Sequence, residues 1–265
     1  MNNQQRVDEL AGKSGEVSIK QAPKYIVPAV RLHGNKGVFQ RTDYADGVSN
    51  TIDIGNSIEG VMLKVRRSFG SFTKDEQFFT NEHNSWRDKV ILFRRHKTSD
   101  GIAKTQTVDE GTTKELKEKY PALRMRQLIY FLLYPGKEVV KLTIKGKGLG
   151  DLFDYWQSFD NDEHMFQFVT KVGVKEEEGQ MGTYYATSFE RGEAVEGKDF
   201  DEVAESIDEV SSRVEASESF YAKPSKEEDA GLPVAEDDDV PVIEEEDDPR
   251  PVSDDPEINV NDIPF

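Results

Sequence analysis

The segment RMRQLIYFLLYPGKEVVKLTIK, residues 124–145, decides the fold of this chain. Apolar residues alternate with other residues on both sides of a turn at Pro135–Gly136, which is the two-residue period of paired β-strands. The residues that fall on the predicted core face are Met125, Ile129, Phe131, Leu133, Val140, Leu142 and Ile144. The segment therefore predicts two adjacent strands with one buried face.

Further strands and helices flank these two strands. Val61, Leu63 and Val65 alternate with Met62, Lys64 and Arg66, which predicts a half-buried strand. The segments 90–96, 165–172 and 183–189 are also predicted to be strands. Thr112 and Glu115 form a capping box that opens a short helix ending before Pro121. A second helix has apolar residues at i, i+3, i+4 and i+7, namely Leu149, Leu152, Phe153 and Trp156. This order predicts a mainly β fold, an OB-fold-like barrel with one inserted helix, over 24–190.

The acidic residues are concentrated in the last third of the 265-residue chain. The formal net charge is −18, of which residues 1–190 contribute +2, residues 191–223 contribute −6 and residues 224–265 contribute −14. Seven of the eleven prolines also lie in 224–265. Such a segment buries too little apolar surface to offset the entropy lost on ordering. We therefore expect a disordered acidic tail over 224–265 and a flexible N-terminal arm over 1–23.

An acidic amphipathic helix is predicted within 191–223. Its apolar residues repeat every three to four positions, at Phe200, Val203, Ile207, Val210 and Val214. Two interpretations remain open: the stripe docks on the barrel, or it forms a dimer contact through a heptad-like seam.

Several classes of protein are excluded or disfavoured by the composition. The chain has no cysteine, which excludes disulfide scaffolds and thiol catalysis, and its four histidines lie far apart. Phosphate-binding, dinucleotide-binding and nucleophile-elbow motifs are absent, so we expect no enzyme activity, catalytic residue, metal or cofactor. The polar N-terminus has no stretch suited to a signal peptide, and the longest apolar run, 128–134, is too short to span a bilayer. We expect a cytoplasmic protein without a membrane partner.

Cations and aromatic residues share the predicted face opposite the core. Residues 57–147 hold 19 Lys+Arg against 11 Asp+Glu. Lysine and arginine neutralise phosphates, and aromatic rings stack on bases without regard to sequence, so this face suits a nucleic-acid strand. The predicted DNA-binding residues are Lys64, Arg66, Arg124, Arg126, Tyr130, Tyr134, Lys141 and Lys145.

For two sets of aromatic residues the sequence leaves open whether the rings bind bases or pack in a hydrophobic core. Tyr130 and Tyr134 either stack on bases or belong to a second hydrophobic layer beneath a solvated cationic surface. The segment 68–88 adds five aromatic residues that either stack on bases or belong to the core, and they are Phe69, Phe72, Phe78, Phe79 and Trp86.

The last four residues, Asp262, Ile263, Pro264 and Phe265, are predicted to be a peptide ligand on a tether. The alternative is a solubilising tail that ends in apolar residues by chance. The two apolar side chains can fill a pocket, while Asp262 and the α-carboxylate attract a partner's cations. The ending resembles that of bacterial single-stranded-DNA-binding proteins, and the plan of the body is more similar to divergent relatives from phages and mobile elements. The resemblance implies an OB-fold that coats single-stranded DNA, and a tip that recruits replication, recombination and repair proteins.

The sequence thus predicts a protein that binds and protects single-stranded DNA and recruits partner enzymes through Asp262–Phe265. The alternative is an interaction protein whose acidic tail mimics nucleic acid and docks on replication or repair enzymes without binding DNA. Burial of the cation-aromatic face under the acidic helix would favour that alternative. A preference for RNA and assembly into a homo-oligomer also stay open.

Overall fold

The computed structural model describes residues 27–45, 48–72, 76–97, 103–179 and 182–221. The strands are β1 (Ala29–His33), β2 (Val38–Ala45), β3 (Val48–Gly55), β4 (Ser57–Phe72), β5 (Glu76–Thr80), β6 (Lys89–Lys97), β7 (Ala103–Thr112), β8 (Arg124–Leu133), β9 (Glu138–Lys145), β10 (Phe168–Gly179) and β11 (Gly182–Ala194). The α-helices are α1 (Thr113–Lys119), α2 (Lys147–Gln157) and α3 (Gly197–Tyr221). The prediction of a mainly β fold with a few helices is confirmed.

The strands form one mixed sheet. Nine of them follow the order β3-β2-β1-β9-β8-β4-β5-β6-β7, while β10 pairs with the start of β4 and β11 pairs with β10. The β1–β9 pair is parallel, and β4 is antiparallel to β5, β8 and β10. Because β4 is 16 residues long, residues 57–60 pair with β10, residues 60–70 pair with β8 and residues 70–72 pair with β5. It therefore joins the main body of the sheet to an extension made of β5, β6 and β7.

The sheet curls until β11 meets the turn between β1 and β2. The Tyr185 backbone N–H donates to the Gly34 carbonyl oxygen at 2.9 Å. Gly37 in the same turn has a φ of +64°, and a Cβ there would lie 3.0 Å from the Tyr185 ring. Glycine is needed at that position both for its backbone conformation and for the close approach of the ring.

The inner face of the curled sheet holds the main core. Ile129 and Phe131 of β8 and Leu142 of β9 are fully buried there, as the alternation in 124–145 predicts. Leu149 and Leu152 place α2 against this face, because both lie on the apolar side of that helix. The capping box of Thr112 and Glu115 also forms as predicted and begins α1.

The outer face carries a second hydrophobic layer, which α3 covers. Val203, Val210 and Val214 of α3 are buried against Val61 of β4 and Leu132 of β8, among other residues. Of the two interpretations of the acidic helix, the structure shows docking on the sheet. None of the helices in the described ranges is long and apolar enough to cross a membrane.

One predicted strand face is wrong because β4 contains a β-bulge. The alternation placed Leu63 with Val61 and Val65, opposite Lys64 and Arg66. In the structure Met62 pairs with Phe131 and Lys64 pairs with Tyr130, so Leu63 is the extra residue. A bulge shifts the side-chain alternation by one residue. Val61 therefore shares the outer face with Lys64 and Arg66, and Val65 points to the inner core.

Candidate nucleic-acid interface

The outer face of β4, β8 and β9 brings most of the predicted DNA-binding residues into cross-strand rows. In one row Tyr130 lies between Lys64 and Lys141, and in another Arg126 lies opposite Lys145. Side chains opposite one another on neighbouring strands lie on the same face and within reach of each other. The two rows have different surroundings, however, and they divide the predicted site into a covered part and a more open part.

The covered part contains Tyr130, Tyr134 and Lys64. Tyr130 is only 4% exposed and lies in the layer beneath α3, with Tyr134 packed against the same layer. The Lys64 Nζ donates to the Ser211 Oγ of α3 at 3.2 Å, and burial lowers the pKa of Lys64. Of the two interpretations of Tyr130 and Tyr134, the structure therefore shows the second, in which both belong to a second hydrophobic layer. Neither the Tyr130 ring nor the Lys64 ammonium is presented to a nucleic-acid strand in this arrangement.

A carboxylate from the segment 81–88 occupies the centre of the covered part. Glu82 accepts a hydrogen bond from the Tyr130 hydroxyl at 2.9 Å and from the Lys141 Nζ at 3.0 Å. Burial raises the pKa of Glu82, but the charge and hydrogen bond of Lys141, the Tyr130 hydroxyl and the charge of Arg66 together lower it below its ordinary value. Glu82 therefore stays ionised and occupies an anion site made by Lys141 and Tyr130.

Arg66 is also a buried residue rather than a surface cation. Its side chain is 1% exposed, and its guanidinium donates to the Asn84 side-chain oxygen. The backbone of Arg67 pairs with that of His83, which holds the segment 81–88 over the outer face. The prediction that Arg66 lies on an accessible face is wrong, because a segment distant from β8 and β9 in sequence folds over it.

The more open part, here called the distal face, lies beyond α3. Its cations are Arg31, Arg124, Arg126 and Lys145, and its aromatic residues are Phe72, Phe79 and Phe93. The Arg126 guanidinium carbon lies 3.6 Å from the centroid of the Phe72 ring, a cation–π stack. Lys145 is exposed, and Arg31 shares the face because it lies beside Thr143 in the parallel β1–β9 pair.

The aromatic residues of the distal face continue the row that Arg124 begins. Arg124 lies opposite Gly70, Gly70 lies opposite Phe79, and Phe79 lies opposite Phe93. The two phenylalanine rings are partly exposed, and their centroids lie 5.5 Å apart. Because Gly70 has no side chain, the Phe72 ring of β4 lies directly over it, in the row between Arg124 and the two phenylalanines.

Sequence reasoning identified part of this face and missed part of it. Phe72 and Phe79 belong to it, whereas Phe69, Phe78 and Trp86 pack with α1 in a third hydrophobic cluster. Phe93 was missed. The sequence contains a signal that could have identified Phe93. Val90 and Leu92 are buried in the cluster that includes α1, so the alternating position Phe93 lies on the opposite face of the strand.

The predicted partner-binding residues Asp262, Ile263, Pro264 and Phe265 lie outside the described residues, as do the predicted arm 1–23 and tail 224–265. In the described part of the chain, no group of three or more His, Asp or Glu side chains is placed to hold a metal ion. Comparison with protein-family models, with curated protein sequences and with solved structures finds no match to this chain.

Proposed function

We propose that this chain binds single-stranded DNA along the distal face and recruits replication, recombination and repair proteins through Asp262–Phe265. The observation that carries the proposal is the stack of Arg126 on Phe72 beside Lys145, on the face that also holds Phe79 and Phe93. Phosphates would lie against the cations, and bases would stack on the rings and on the Arg126 plane. The binding would be largely independent of base sequence.

The arrangement of like charges supports this proposal. Arg126 and Lys145 occupy directly opposed positions on β8 and β9, and Arg124 is two residues from Arg126 on the same face. Cations that share neighbouring positions on one face suit the closely spaced phosphates of a nucleic-acid strand, because each can neutralise one of them.

The strand connectivity supports an OB-like reading of the main body. β4, β8 and β9 are consecutive neighbours, α2 follows, and β10 returns to pair with β4. This is a Greek-key order, and OB-folds are partly open Greek-key barrels with a helix in the same place. OB-folds bind oligonucleotides on their second and third strands and in the loop between the first and second. The distal face combines the corresponding features, which are β8, β9 and the extension inserted between β4 and β8.

A binding experiment with matched variants tests the proposal. Fluorescence anisotropy of a labelled oligo-dT would be measured with the full chain, with an Arg126→Ala/Lys145→Ala double variant and with a Lys171→Ala control. Lys171 is an exposed lysine on β10, away from the distal face. We expect the double variant to lose affinity about 10-fold or more at low salt and to show a shallower salt dependence. Equal affinity for the double variant and the control would refute the assignment of the distal face.

A second function is favoured by one observation, the burial of Tyr130 and Lys64 under α3 and the segment 81–88. In this alternative the chain is an interaction protein that binds basic sites on replication or repair enzymes through its acidic tail. It predicts that the full chain and a chain lacking residues 224–265 both fail to bind oligo-dT.

A further inference from the structure

The two outermost strands of the nine-strand path, β3 and β7, differ in the features that prevent an edge strand from pairing with another chain. β7 carries Lys104, Asp109 and Glu110, and its ladder with β6 is interrupted at Val108. Charged residues and bulges at an edge strand are features that prevent edge-to-edge association. Within the described residues, β7 is therefore a protected edge.

β3 has few of these protections. Asp53 is its single charged residue, and it contains neither lysine nor proline. Its pairing with β2 is regular from Val48 to Asp53, and the register shift in this ladder falls after Asp53, where Ile54 is the extra residue. The Asp53 carboxylate also accepts a hydrogen bond from the Gln40 side-chain nitrogen at 3.0 Å, which ties it to the neighbouring strand. A regular edge with little charge is a template for pairing with another strand.

An exposed apolar side chain lies in the middle of this edge. Ile52 is 46% exposed, the highest value among the exposed large hydrophobic residues of the described ranges. It lines a shallow groove with the apolar residues Ile54, Ile58 and Leu133 and the charged residues Arg41, Glu59 and Lys171. Burial of the Ile52 side chain itself against another apolar side chain would be favourable.

We propose that β3 pairs with β3 of a second copy of this chain, antiparallel and about a two-fold axis at Ile52. In that register Ile52 faces its own copy and Asp53 faces Thr51, so no two carboxylates are opposed. The strand is thus complementary to itself, as a two-fold interface requires. This self-pairing does not depend on the proposed binding of DNA.

The pairing has a consequence for the outer faces. Directly opposed residues of paired strands lie on the same face of a sheet. The two sheets would therefore become one continuous sheet, and the distal faces of both copies would lie on the same side of it. One dimer would offer a single strand two successive binding surfaces.

The oligomeric state of the full chain tests the proposal. Light scattering after size-exclusion chromatography would be measured over a range of concentrations for the native chain, Ile52→Lys and Val108→Lys. Both substitutions replace exposed apolar residues on edge strands, and Val108 is 37% exposed. We expect the native chain and Val108→Lys to be dimers and Ile52→Lys to be a monomer. A monomeric native chain, or a dimer that Ile52→Lys leaves intact, would overturn the proposal.

Crosslinking tests the register and does not rely on a disruptive variant. The chain has no cysteine, so Ile52→Cys introduces one thiol per copy. Opposed residues of antiparallel strands have Cα atoms about 4.5–5.5 Å apart, within the range for a disulfide. We expect a covalent dimer on a non-reducing gel for Ile52→Cys and little for Val108→Cys. Equal crosslinking of the two variants would contradict pairing through β3.

Discussion

Replacing Glu82 by glutamine should change stability and DNA affinity in opposite directions. Glu82 accepts hydrogen bonds from Tyr130 at 2.9 Å and Lys141 at 3.0 Å, and it lies near the charge of Arg66. A hydrogen bond to a charged group contributes about 1.5–3 kcal/mol. The Lys141 and Glu82 side chains keep 30% and 24% of their exposure, and the glutamine Oε1 still accepts a hydrogen bond. We therefore expect Glu82→Gln to lower the free energy of unfolding by about 1–2 kcal/mol at pH 7.

The pH dependence of that difference follows from the pKa of Glu82. Its pKa lies below the ordinary value in the folded protein, so its ionised form stabilises the fold. This contribution is complete above the unfolded pKa, about 4.3, and is lost as the pH falls through the folded pKa. Urea denaturation of both proteins between pH 7 and pH 3 should show the difference shrinking below about pH 4. All other carboxyl groups are common to both proteins and cancel in the comparison.

The same substitution should strengthen the binding of single-stranded DNA. It removes one negative charge from the outer face, and a charge about 8 Å from a phosphate contributes roughly 0.5–1 kcal/mol at an effective dielectric constant of about 40–80. We expect a 2- to 5-fold gain in affinity for oligo-dT at low salt. Glu118→Gln, at an exposed position on α1, makes the same change in net charge as a control. A loss of affinity, or an equal gain in the control, would refute the reasoning.

Three further outcomes are expected. Removing residues 224–265, with a net charge of −14, should strengthen DNA binding most at low salt, and an unchanged affinity across a salt series would contradict competition by the tail. Deleting Phe265 should abolish recruitment of partner enzymes in a pull-down and leave oligo-dT affinity nearly unchanged, and loss of both would mean that the tail is structural. Val210→Ala should lower the free energy of unfolding by about 1–2 kcal/mol in urea, because Val210 is fully buried between α3 and the sheet; an unchanged midpoint would mean that α3 does not dock.

The elements that the sequence predicted are those with strong periodicity. β8, β9, α2 and α3 each bury one continuous apolar face, so their residues alternate or repeat clearly. β3 and β7 were missed because they are outer strands whose side chains are largely polar, as in AKTQTVDEGT of β7. The bulge at Leu63 was missed because it adds a residue without changing the apolar character of the strand.

The candidate site was predicted only in part, because alternation shows on which face of a strand a side chain lies and does not show what covers that face. Alternation correctly placed Arg124, Arg126 and Lys145 on the face opposite the inner core. It gave no information on what covers that face, since α3 and the segment 81–88 are remote from β8 and β9 in sequence. Arg66 was therefore assigned to an accessible surface, and alternation alone could not decide between base stacking and a hydrophobic layer for Tyr130; both residues are buried.

The measurement to make first is a fluorescence titration of the full chain with labelled oligo-dT and with a duplex of matching length, at two salt concentrations. Binding by the distal face predicts tight, salt-sensitive association with the single strand and much weaker association with the duplex. Absence of binding to either, with residues 224–265 present or removed, would contradict DNA binding and favour the tail-mediated interaction protein.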